Sequence, residues 1–250
     1  MNRSFSIASL KQSATGTVAA MSRHLMIGGA IVFLTAGSAI ARNSELQQKV
    51  AAVKQAAAEN KQRLQQYEWT ETTQLTLKGD PKLASTNLCR YGPDGQVQKN
   101  LVSPPPEPPS GGRMKQKIIA KKKEEMKDYM GDVKVLLSQY VPPDPQKMQQ
   151  AYQAGKVSIN PAGGVMNLIF KDYAQPGDQM TLTFDTAAHK IVSLKVNSYL
   201  GEAKDVVTLQ VQMASLPDGT NYAQQTVLNA TAKQLVVTTT NSNYQKLGGY

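Results

Sequence analysis

The side chains that could do chemistry in this chain are few and badly spaced for it. There is one cysteine, Cys89, and one histidine beyond the N-terminal apolar stretch, His189. A thiol attacks only as a thiolate, which needs a base within hydrogen-bond reach. The two residues lie far apart in sequence, and nothing in their spacing brings them together. They read instead as a buried thiol and a turn histidine. No H-E-x-x-H, C-x-x-C, G-x-S-x-G or phosphate-loop pattern occurs, nor any cluster of His, Cys and carboxylates at ligand spacing. The sequence therefore offers no catalytic residue and no metal site, and no cofactor is expected.

The other chemically suggestive stretch is basic. Lys115, Lys117, Lys121, Lys122 and Lys123 fall within nine positions, followed by Glu124, Glu125, Asp128 and Asp132. Lysines and carboxylates three and four apart support one another on a solvated helix face, and that is the plainest account of them. A basic amphipathic helix also suits an anionic lipid surface, which makes these five lysines the candidate residues for peripheral membrane contact. Nucleic acid is a poorer fit, because no aromatic residue stands among the lysines to stack on bases.

These residues sit in a 250-residue chain of formal charge +10 and 40% apolar content, enough for a core. Residues 21–41 fit a secretory signal peptide. Arg23 and His24 precede the apolar run of residues 25–34, and Ala39-Ile40-Ala41 fits the small-residue cleavage pattern. The run falls short of the roughly 20 residues a membrane span needs, so cleavage near Ala41 predicts a periplasmic or secreted protein. An uncleaved N-terminal anchor is the alternative. Either Met1 or Met21 serves as the start. Residues 42–250 are expected to form one α+β domain, and with a single cysteine no intramolecular disulfide can hold it together.

Taken in order, Ser44-Glu-Leu-Gln47 is a capping box. It opens a helix with Leu46, Val50, Val53, Ala57, Leu64 and Tyr67 on one face. The helix runs into a strand over residues 67–77, which puts Tyr67, Trp69, Leu75 and Leu77 on one side. A hairpin follows, from 86–91 to 96–102 around Gly92-Pro-Asp-Gly95. Residues 103–112 (SPPPEPPSGG) form a Pro-rich connector. A second helix is predicted over 113–140, with Ile119, Met126, Val133 and Tyr140 at heptad spacing and Tyr129 and Leu136 between them. Asp144-Pro145 then caps a short third helix ending at Gly155.

From Gly163 onward the chain reads as a run of short strands parted by turn signals at 175–178, 186–189, 201–204 and 217–219, with a break at 231–233. Met180, Leu182 and Phe184 alternate onto one face, as do Val192, Leu194 and Val196, and Val207, Leu209, Val211 and Met213. Short connections make neighbours antiparallel. A twisted meander of this size curls, and the helices must cover its apolar side. Trp69, Met126, Val133, Met180, Leu182, Phe184, Val207, Leu209 and Val211 are the residues that would line a hollow between sheet and helices. Methionines suit such an adaptable lining.

The order of elements, with the stretches QQYEWTETTQLTLKG, RYGPDGQ and FDTAAHKIVSLKV, resembles the LolA-like superfamily of periplasmic lipoprotein carriers and lipoprotein-sorting proteins over residues 44–244. The resemblance implies an unclosed β-barrel curled around a helical plug, with acyl chains held in the apolar hollow between them. Two features depart from that pattern, the Pro-rich connector and the strongly basic second helix. No functional arginine of the group has a matching position here. The expected function is thus non-enzymatic: an exported carrier or sensor of a lipid or lipoprotein acyl chain. The alternative is an interaction module that meets an envelope protein through a sheet edge or the basic helix. A continuous apolar cavity favours the first, and a filled interior with a bare apolar patch favours the second.

Overall fold

Residues 67–101 form three strands, and their first turn explains how β1 leaves the sequence pattern. Strand β1 (Tyr67–Leu77) reverses at once into β2 (Asp80–Tyr91), followed by β3 (Val97–Leu101). Lys78 and Gly79 both have positive φ, +55° and +83°, the paired left-handed residues of a two-residue hairpin turn. The strand ends at residue 77 as the sequence pattern predicts, but β2 begins at Asp80 where that pattern starts a strand only at residue 86. Pro81 is tolerated because the β1–β2 register shifts between Leu75 and Thr76, so the proline lies at an irregularity of the ladder.

The computed structural model describes residue 55 and residues 58–102, 113–188 and 190–248, without the side chains of Leu83 and residues 113–116. The signal peptide, most of the first helix, the connector 103–112 and His189 therefore lie outside the described residues. Residues 58–64 are helical and are called α1. Helix α2 is Arg113–Leu137 and α3 is Pro145–Gln153. Asp144 caps α3 by accepting from the amides of Gln146 and Lys147, with Pro145 in the first turn.

The remaining strands are β4 (Val157–Ala162), β5 (Val165–Lys171), β6 (Gln179–Asp185), β7 (Lys190–Tyr199), β8 (Val206–Ser215), β9 (Asn221–Ala230) and β10 (Leu235–Lys246), with a 3-10 turn at Thr231–Lys233. Strand β4 was not foreseen. It contains Pro161 and lies at the sheet edge, where a missing amide donor does no harm.

All ten strands join one antiparallel sheet in the order β3-β2-β1-β10-β9-β8-β7-β6-β5-β4. The meander from β4 to β10 follows sequence order. The N-terminal strands are added at its end, because β1 pairs with β10 from Leu77↔Leu235 to Tyr67↔Lys246. Strands β3 and β4 do not pair, so the curled sheet stays unclosed. This is the α+β architecture expected from the sequence: an unclosed antiparallel sheet with helices.

Register aligns the apolar residues into rows across the strands. One row runs Phe170–Met180–Val196–Leu209–Leu228–Val237–Leu75. Directly opposed residues share a face, so the row is continuous from β5 to β1, and this face is called inner. The outer face carries Thr181, Lys195, Asn197, Thr208 and Gln210. In one place the structure departs from the alternation in the sequence. The β6–β7 register shifts between Thr183 and Phe184, so Phe184 faces Ile191. The bulge makes Ile191, not Val192, pack against the core.

Candidate functional site

The inner face is where the sequence-predicted lining residues meet. Tyr129, Val133, Leu136 and Tyr140 of the second helical region pack with Phe170, Met180, Leu182, Leu194, Val196, Val207, Leu209, Val211 and Leu228 into one buried cluster. Met126 packs against that cluster half-buried, as do Met130, Met148 and Met213, and Phe184 is half-buried on β6. Val133, Val207 and Met180 have no exposed surface at all. The structure thus brings together Met126, Val133, Met180, Leu182, Val207, Leu209 and Val211. Side chains of α2 and α3 fill the space above the sheet.

Trp69 belongs elsewhere. It stacks on Tyr244 with ring centroids 5.5 Å apart, lies beside Tyr91, and donates from Nε1 to Asn241 Oδ1 at 3.1 Å. Tyr244 in turn meets Tyr67 and Tyr222. Cys89 is fully buried opposite Trp69. Glu71, also buried, holds Lys99 of the edge strand at 2.7 Å from both its oxygens. A Thr73–Thr239 pair follows along β1, before the apolar row begins at Leu75. The sequence signal for this second cluster was the density of aromatics at 67–69. Tyr244 could not be joined to it without knowing that β1 and β10 are neighbours.

The helical cover is fastened to strand ends by tyrosines. Tyr129 donates to Asp205 Oδ1 at 2.8 Å in the β7–β8 turn, with Lys233 Nζ 5.3 Å from its ring centre. Tyr140, just beyond α2, donates to Asp178 Oδ2 at 2.5 Å and meets Ser198 Oγ at 2.8 Å. Asp178 is 2% exposed. Its carboxylate also accepts from the amides of Tyr173, Ala174 and Gln175 at 2.6–3.0 Å. A buried carboxylate with four donors is satisfied rather than reactive. Burial, and next the bond to Asp178, push the Tyr140 phenol well above the ordinary tyrosine range, so it remains a donor. Tyr129 is raised in the same way by burial and Asp205.

Two shallow surface grooves stand out, of about 250 and 290 Å3. The first lies on the polar outer face around Thr181, Lys195 and Thr208, and the second beside the end of α2 around Val135, Gln139 and Tyr199. The second is thus walled by α2 on one side and by the end of β7 on the other, with Leu136 and Leu200 among its lining. Among the described residues no group of three His, Cys, Asp or Glu could hold a metal. No helix among them is long and apolar enough to cross a membrane. Burial, and then the charge of Glu71, raise the Cys89 thiol above its usual value, which is the opposite of what a nucleophile requires.

The candidate membrane-facing lysines divide likewise. Lys117, Lys121, Lys122 and Lys123 are exposed, while the side chain of Lys115 lies outside the described residues. Lys121 is 4.0 Å from Glu125, and Lys127 is 3.6 Å from Glu124.

No family model and no curated protein matches the chain. Solved structures similar to it include these two. One is a DUF1329 family protein from Desulfovibrio piger, 10% identical, covering 83% of this chain and 94% of its own, with a TM-score of 0.38. The other is a candidate outer membrane lipoprotein-sorting protein domain from Vibrio parahaemolyticus, 9% identical, covering 82% and 94%, with a TM-score of 0.35.

Proposed function

We propose that this chain is a non-enzymatic exported protein whose inner sheet face receives an acyl chain, of a lipid or lipoprotein, beneath helix α2. The observation that carries the reading is how little of α2 covers a long apolar surface. The row of apolar residues crosses seven strands, and among the described residues the helical cover of its cluster comes from Met126 to Tyr140 and from Met148 and Ala151 of α3. Around the buried centre stand half-buried Leu75, Leu77, Met126, Met130, Ile191, Met213 and Val237. Such a seam opens if α2 moves, and flexible methionine side chains can repack around a guest. Each methylene transferred there from water contributes about 0.8 kcal/mol, so a long chain binds without a polar anchor. The packed interior taken alone favours the interaction module, and the carrier reading takes it as the ligand-free form.

Cleavage after Ala41, leaving Arg42 as the mature N-terminus, belongs to the same reading and places the carrier in the periplasm. Native mass spectrometry of protein purified from its own envelope, with lipid extraction, tests the proposal. A bound acyl species, or saturable uptake of a fluorescent fatty acid, supports it. Ligand-free protein without saturable uptake defeats it.

One observation favours the second reading, an envelope interaction module. The edge strand β3 exposes Val97 and Leu101, with Leu88 beside them and Val102 just beyond. It carries no proline to block an added strand. Recovery of one specific partner by cross-linking at Leu101→Cys, from ligand-free protein, would select it.

A further inference from the structure

We propose that the N-terminal half of α2 is a docking surface for an anionic lipid membrane, separate from any acyl site beneath its C-terminal half. The inference begins with a break in the helix pattern. Met126, Tyr129, Met130, Val133, Leu136 and Leu137 define the face of α2 that packs on the sheet. Continued toward the N-terminus at helical spacing, that face reaches positions 122 and 123, one turn before Met126 and two before Tyr129 and Met130. Lysines stand there, and both are exposed.

Tyr129 and Tyr140 fasten the helical region at the β7–β8 and β5–β6 turns, and among its described side chains those that join the packed cluster begin at Met126. Among residues 117–125 every side chain is exposed except Ile119, which is half-buried. Ile118 is 56% exposed. A helix that lacks a buried face gains little from packing, so these turns are free to meet something else.

Their composition selects the partner. Residues 113–127 hold seven basic and two acidic residues, a net charge of +5. The two acids, Glu124 and Glu125, lie beside Lys127 and Lys121, and Lys117, Lys122 and Lys123 are exposed around them. An exposed isoleucine among lysines suits the headgroup boundary of a bilayer, where apolar side chains insert while ammonium groups meet lipid phosphates. Nucleic acid would be served by stacking side chains, and residues 113–125 contain no aromatic residue.

Vesicle flotation of the full chain tests this, using phosphatidylcholine vesicles with and without phosphatidylglycerol as the anionic lipid. Binding is expected only with the anionic lipid. It should weaken about a hundredfold in the Lys121→Gln, Lys122→Gln, Lys123→Gln variant, and weaken again as salt rises from 0.1 to 1 M and the screening length falls from about 10 to 3 Å. Any contribution of the apolar residues 25–34 is common to both vesicles and both proteins, so the differences isolate the lysines. Melting of the triple variant should match the parent, since its changes are all exposed. Ile118→Ser should lower affinity while leaving the salt dependence intact. Equal binding to both vesicles, or an unaffected triple variant, overturns the proposal. So does tight, lysine-dependent binding of an oligonucleotide without vesicle binding.

Discussion

The Tyr140 hydroxyl lies 2.5 Å from the Asp178 carboxylate, and this contact ties the end of the helical cover to the loop between β5 and β6. The same carboxylate organises that loop by accepting three backbone amides. One buried charge thus fixes a loop and seats a helix. Removing one donor from a buried charged acceptor costs about 1–3 kcal/mol. Tyr140→Phe should lower stability in denaturant by that amount, and Asp178→Ala by more, because it strands several donors at once. Tyr152→Phe, at a 45% exposed tyrosine of α3, should change it little.

Helix α2 offers a contrast between its two halves. Val133 is fully buried against the sheet, so Val133→Asp should cost several kcal/mol and threaten the fold. Lys122→Glu lies on a free turn and should shift stability by no more than about 1 kcal/mol. Similar melting of the two variants would mean that the packed face has been misassigned.

The Tyr129–Asp205 contact is the latch nearest the exposed half of α2. If acyl chains enter beneath the helix, Tyr129→Phe should speed uptake of a fluorescent fatty acid, since the cover then lifts more easily. An unchanged uptake rate in a correctly folded variant would argue against this route.

Acid should reveal the Tyr67–Asp218 bond, which is 2.6 Å long. The Tyr67 hydroxyl, and next the Thr220 amide, hold the Asp218 carboxyl at about 2, below its ordinary 3.8. A carboxyl depressed on folding stabilises the protein above its unfolded value, and that contribution fades as pH falls from about 4 to 2. Asp218→Asn should therefore flatten the stability profile in this window. Some slope should persist from Asp172, which the Gly177 amide and Lys156 also depress.

Cys89 should resist thiol reagents in the folded protein and react on unfolding, because it is fully buried and its thiol is held in the protonated form. Rapid labelling under native conditions would place it on an opening segment.

The sequence by itself determined most of the strands, since each carries its own alternation and turn. Residues 179–185 and 221–230 match β6 and β9 end to end. Near Gly219 the matching turn has φ of +81°, a conformation that glycine adopts freely. The heptad from Ile119 to Tyr140 identified the packed stripe from Met126 onward, although Ile119 stays half-buried outside the core cluster and α2 ends at Leu137, before Tyr140. What the sequence did not determine was long-range or register-dependent. Strand β1 meets β10 across most of the chain, and that pairing brings Tyr244 to Trp69, beside which the β1–β2 hairpin sets Tyr91. A single bulge exchanged Val192 for Ile191, since one inserted residue turns every later side chain over. Lys122 and Lys123 read equally well as a solvated face of a covering helix. Only the tertiary packing decided that α2 joins the core from Met126 onward and leaves their half of the helix exposed, because periodicity describes which way a side chain points and not what lies there to meet it.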